Sequence, residues 1–100
     1  MYYVLYLLAG AFAANGVPHF VKGIVGEKHQ TPFGRPSSAV VNVVWGTANF
    51  VLAWVLWRFA GLHRSLDHTV RYELMFGVGA FLVSLGLAYA WSRPQSKSAK

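Results

Sequence analysis

The sequence predicts an all-α fold: an integral membrane bundle of three transmembrane helices. Two observations carry that expectation. Apolar residues make up 55% of the 100-residue chain and charged residues 12%, about half the charged share of a soluble domain. Every Lys, Arg, Asp and Glu also falls between Lys22 and Arg35, between Arg58 and Glu73, or from Arg93 onward. A soluble chain this short needs many polar residues to cover its surface, so lipid is the solvent that suits it.

The three uncharged stretches, 2–21, 38–57 and 74–92, each approach the roughly 20 residues that carry a helix across about 30 Å of hydrocarbon. A charge at the centre of such a helix costs about 2.5–3.5 kcal/mol on an insertion scale. Helix is the only spanning form open to them, because lipid offers backbone groups no partner and three strands cannot close a barrel. Aromatic residues mark the borders. Tyr2, Tyr3, Trp54, Trp57, Tyr72 and Phe76 gather near one interface, and Phe20, Tyr89 and Trp91 near the other. Residues 1–92 form a single domain, followed by a basic polar tail at 93–100 that begins Arg93-Pro94. Ala11-Phe12-Ala13 has the form of a signal-peptidase site, but no Lys or Arg precedes it, so the first span is expected to stay.

Of the nine basic residues, Lys22, Lys28, Arg35, Arg93, Lys97 and Lys100 share one side of a three-span chain, against Arg58, Arg64 and Arg71 on the other. The positive-inside rule puts the first connection and the tail in the cytoplasm and the N-terminus outside. This scatter also explains the net charge of +6 without nucleic acid, which would require a basic patch on a folded face.

Helices in lipid meet through small residues and interhelical hydrogen bonds. The expected packing positions are Gly10, Ala13, Ala14 and Gly16, with Ala9, on the first span, and Ala80, Ser84 and Ala88 on the third. Among polar residues inside the spans, Asn15, His19, Asn42 and Asn49 form a candidate cluster, with Asn15, His19 and Asn42 gathering below the first connection. They serve either as interhelical hydrogen bonds or as the lining of a polar path. In the first connection, Thr31-Pro32-Phe33-Gly34 suits a tight turn, and Ser37 or Ser38 can cap the second helix.

His63, Asp67 and His68 are the remaining concentration of chemistry-bearing groups. They are weak metal candidates, since a metal needs converging ligands and Asp67 reads more simply as a helix cap. No metal and no cofactor is expected. An acidic pair, a Ser–His–acid arrangement and a phosphate loop are all missing from the sequence, so the chain is not expected to be an enzyme.

Pro18-His19-Phe20, Gly23, Gly26, Thr31-Pro32-Phe33-Gly34, Ser37-Ser38, Asn42, Trp45-Gly46 and Asn49-Phe50 together resemble a family of small, uncharacterised bacterial membrane proteins. The resemblance covers about the middle third of the chain. It implies a bacterial inner-membrane location and no particular activity. The expected function is that of a structural or accessory subunit, packing with itself or with a larger membrane complex. The other reading is an oligomeric channel or transporter for a small solute or lipid, with its path at Asn15, His19, Asn42 and Asn49.

Overall fold

A computed structural model describes residues 2–63 and 69–92, His63 by its backbone alone. It contains helix α1 (Tyr2–Ile24), strands β1 (His29–Thr31) and β2 (Gly34–Ser37), helix α2 (Ala39–His63) and helix α3 (Thr69–Ser92). All three helices are long and apolar enough to cross a membrane, and at 1.5 Å per residue the shortest reaches roughly 35 Å. The chain is an all-α membrane protein with three crossings. The tail at 93–100, and Asp67 and His68 with the side chain of His63, lie outside the described residues.

The helices run past the uncharged stretches at several ends. Lys22, Arg58, Arg71 and Glu73 are all helical, because a long charged side chain on a terminal turn can reach the headgroups while its backbone stays hydrogen-bonded. Absence of charge marks the hydrocarbon, whereas the helix ends where its backbone finds other partners. At α1 that change comes at Gly26, whose φ of 80° lies in the left-handed region that glycine enters without steric penalty. Just before it, Gly26 N donates to Gly23 O at 3.0 Å, and Glu27 N closes back onto Lys22 O at 2.9 Å.

Helix α1 is the hub, with α2 antiparallel on one side and α3 parallel on the other. Glycines set both approaches. A Cβ placed on Gly46 would stand 2.7 Å from Phe20 N and 2.9 Å from Gly16 O, and one on Gly23 would stand 2.7 Å from Ala39 O. On the other side, a Cβ at Gly10 would collide with Phe76 O, and one at Gly79 with Leu7 O. Backbones this close gain dispersion and weak polar contacts that lipid cannot match. Gly10 and Gly16 are buried, Ala13 and Ala14 half-buried, and Ala80 sits half-buried beside Gly10. Ser84 and Ala88 face away from the chain. The turn of α3 that meets α1 is centred on Gly79.

At the end opposite the hairpin, aromatic rings close the bundle. Tyr6, 1% exposed, stacks on Tyr72 with ring centroids 5.3 Å apart and meets Trp57 edge-on at 4.8 Å. Trp57 meets Phe76 edge-on at 5.2 Å, so this cluster joins all three helices. Offset and edge-to-face pairs of this kind each contribute about 0.5–1.5 kcal/mol beyond their area.

The glycine contacts yield a matched pair of variants. Gly10→Val should destabilise the bundle by about 1–3 kcal/mol through overpacking. Gly77→Val, where a Cβ meets nothing within 4 Å, should stay within about 0.5 kcal/mol of the parent. Unfolding in mixed micelles, followed by tryptophan fluorescence, measures both.

Candidate functional site

The polar side chains of α1 and α2 meet in two layers, with the hairpin as a third above them. In the deeper layer Asn15 Nδ2 donates to Asn49 Oδ1 at 3.1 Å, and Asn49 Nδ2 donates to Trp45 O one turn back at 2.9 Å. Asn49 is buried, while Asn15 is only partly covered.

Asn42 organises the next layer and is fully buried. Its Nδ2 donates to His29 O at 2.9 Å, to Ser38 O at 3.0 Å and, at 3.3 Å, to Ser37 O. Its Oδ1 lies 3.0 Å from His19 Nδ1. An amide oxygen only accepts, so His19 Nδ1 carries the hydrogen of this bond. One side chain thus ties α1, both strands of the hairpin and the start of α2 together. Asn15, expected to gather with His19 and Asn42, bonds instead to Asn49, one layer deeper.

The hairpin is short, antiparallel and irregular, pairing His29 with Ser37 and Thr31 with Gly34 around a Pro32-Phe33 turn. The Arg35-Pro36 peptide is cis. Hydroxyls do much of the work of a longer ladder. Phe33 N donates to Thr31 Oγ1 at 3.0 Å and Ser37 Oγ donates to Gly34 O at 3.1 Å. With the Ser37 proton so used, Thr31 is the donor in the Thr31–Ser37 hydroxyl pair. Ser38, just beyond, caps α2 by accepting from Val41 N at 3.1 Å. A stretch of three or four residues has no periodicity to read, so these strands were not visible in sequence.

Neither His29 nor its place in the structure was singled out by the sequence. Its ring lies between two others, 5.1 Å from His19 and 4.6 Å from Trp91 of α3, centroid to centroid. Its Nε2 is buried with no hydrogen-bond partner among the described residues. Burial holds its pKa below the ordinary 6.5, with smaller contributions from the neighbouring His19 and Lys22 charges. Phe33, exposed at the turn, meets Trp45 edge-on at 5.4 Å, which seats the loop motif Thr31, Pro32, Phe33 and Gly34 against α2.

Two open clefts flank the hairpin. One, of about 560 Å³, reaches down to Asn15 and His19 between Trp45 and Leu87. The other, of about 750 Å³, is bordered by Lys22, Lys28 and Arg35. Gln30, Arg35 and Trp91 line both, so the two adjoin. Among the described residues no three His, Asp or Glu converge as metal ligands.

No family model, curated protein or solved structure matches the chain. The geometry of these layers is therefore the ground for a functional reading.

Two outcomes follow from the polar layers. Asn42→Leu strands the His29 and Ser37 carbonyls and the His19 N–H, and should cost about 2–4 kcal/mol. Asn15→Leu breaks one interhelical amide bond and should cost about 0.6–1.7 kcal/mol; the same micelle titration ranks the two. The pH effect is directional. Because the folded state holds the His29 pKa below 6.5, the unfolded chain binds the proton more tightly. The stability of this region should be complete above pH 6.5 and fall as acid approaches the folded pKa, with faster amide exchange in the hairpin. His29→Gln should remove that slope.

Proposed function

We propose that the chain is a non-enzymatic structural or accessory subunit of the bacterial inner membrane, packing with copies of itself or with a larger membrane complex. The observation that supports this reading is the outer surface of α3. Only Tyr72 and Gly79 of that helix are buried by the rest of the chain. Ser84 and Ala88 stand exposed on it among Phe81, Leu85 and Tyr89, so small residues suited to close helix contact are left uncovered. The interior fits the same role. Asn15, His19, Asn42 and Asn49 bond to one another or to nearby carbonyls, which is scaffold chemistry. The charge bias puts the hairpin end and the C-terminus in the cytoplasm and the N-terminus outside.

A second reading, an oligomeric channel or transporter for a small solute or lipid, draws on the cleft that Asn15 and His19 line beneath the hairpin. Three helices are too few to enclose a path, so several chains would have to join their clefts.

Mass measurement of the full chain released gently from membranes separates these ideas. The accessory reading expects a dimer or larger assembly, weakened at least about tenfold by Ser84→Trp on the uncovered face, an effect of about 1.4 kcal/mol. A monomer alone, with nothing bound, overturns it. Proteoliposome flux lost in Asn15→Leu with the fold retained would favour the channel instead.

A further inference from the structure

The basic cleft at the hairpin end has a chemical character that neither helix packing nor the buried amides explain. Lys22 reaches it from α1, Lys28 and Arg35 from the connection, and Trp91 from α3. One short stretch of sequence, 22–35, thus supplies three cations to a concavity that Trp91, distant in sequence, and Gln30 also line. One carboxylate stands against these charges. Glu27 lies 3.1 Å from Lys22 Nζ, with both side chains about half exposed, and an exposed pair of that kind exchanges readily for another anion. Lys28 and Arg35 have no carboxylate partner among the described residues. His29 places a ring against Trp91, centroids 4.6 Å apart, which holds that indole at the cleft.

Its depth narrows the ligand. The cleft sits where α1 ends and the hairpin begins, just beyond the uncharged stretch 2–21, whose end is where the charge pattern sets the edge of the hydrocarbon. The adjoining cleft continues toward the bundle between Trp45 and Leu87, with Asn15 and His19 at its foot, so the basic mouth opens onto a wall of mixed character. Arg supplies a planar fork that matches phosphate oxygens in pairs, and Lys supplies point charges that need no fixed direction. Basic pockets at this level recognise anionic headgroups.

We propose that Lys22, Lys28 and Arg35 form a binding site for a phosphate group of net negative charge, with Gln30 and Trp91 at its edge. An anionic phospholipid headgroup and a soluble phosphate share this chemistry. The site does not depend on whether the chain acts as an accessory subunit or as a channel.

The test uses the full chain in phosphatidylcholine nanodiscs carrying a rising share of phosphatidylglycerol. The readout is the indole N–H cross-peak of Trp91, assigned with Trp91→Phe. A saturating shift is expected, with half-saturation raised at least about tenfold in the Lys28→Gln/Arg35→Gln double variant. Arg58→Gln, at the other end of the bundle, should leave it unchanged. The remaining three indole peaks report whether each variant is folded; if the double variant is not, Lys28→Gln on its exposed side chain carries the comparison. Inorganic phosphate added to pure phosphatidylcholine discs separates the sources: the same saturating shift assigns the anion to the soluble pool, and a response to phosphatidylglycerol alone assigns it to lipid. A shift that grows linearly, one that is equal in the charge variants, or no shift with either probe overturns the proposal.

Discussion

The structure at the hairpin end depends on the side chain of Asn42. Two α-helices and a two-stranded hairpin must converge at the membrane border, and each brings backbone groups that lipid cannot satisfy. Asn42 offers one acceptor to His19 and two amide hydrogens to a fan of three carbonyls. Aspartate could not donate, and leucine could do neither. A buried amide at this position therefore does in one residue what a longer sheet would do with a ladder. The hairpin needs that help, since a lone two-stranded hairpin is marginal in water.

The glycines of α1 and its partners make the fan possible. Gly23 lets the first turn of α2 press against α1 at Ala39 and Val43, and Gly46 does the same one layer down at Gly16 and Phe20. With the backbones held that close, an asparagine and a histidine reach each other without stretching. Packing and polar satisfaction are thus one arrangement, and a larger residue at Gly46 would part Asn42 from His19 as well as the helices.

The spans were legible because charge is excluded from hydrocarbon by several kcal/mol, a rule strong enough to read from one sequence. Their ends were less so: Arg58 and Glu73 lie inside helices because terminal side chains can reach outward. The candidate amides were visible as polar residues in apolar stretches, but their partners depend on how the helices are rotated and staggered. Depth along the helix puts Asn15 below His19 and Asn42 but does not name Asn49 as its partner. The face of α3 was harder still, because small residues recur at Gly79, Ala80, Ser84 and Ala88 and only the real contact distinguishes Gly79. His29 left no signal at all, since its importance lies in the rings it meets.

The central position of α1 bears on how the molecule is assembled. Synthesis proceeds from the N-terminus, so the helix that touches both others enters the bilayer before either. Its two glycine-bearing faces are then present when α2 and α3 arrive, and neither newcomer has to wait for the other to find its seat. An order of helices with the hub in last place would leave two weakly interacting spans adrift in lipid until translation ended. The first helix thus serves as a template for the two that follow it.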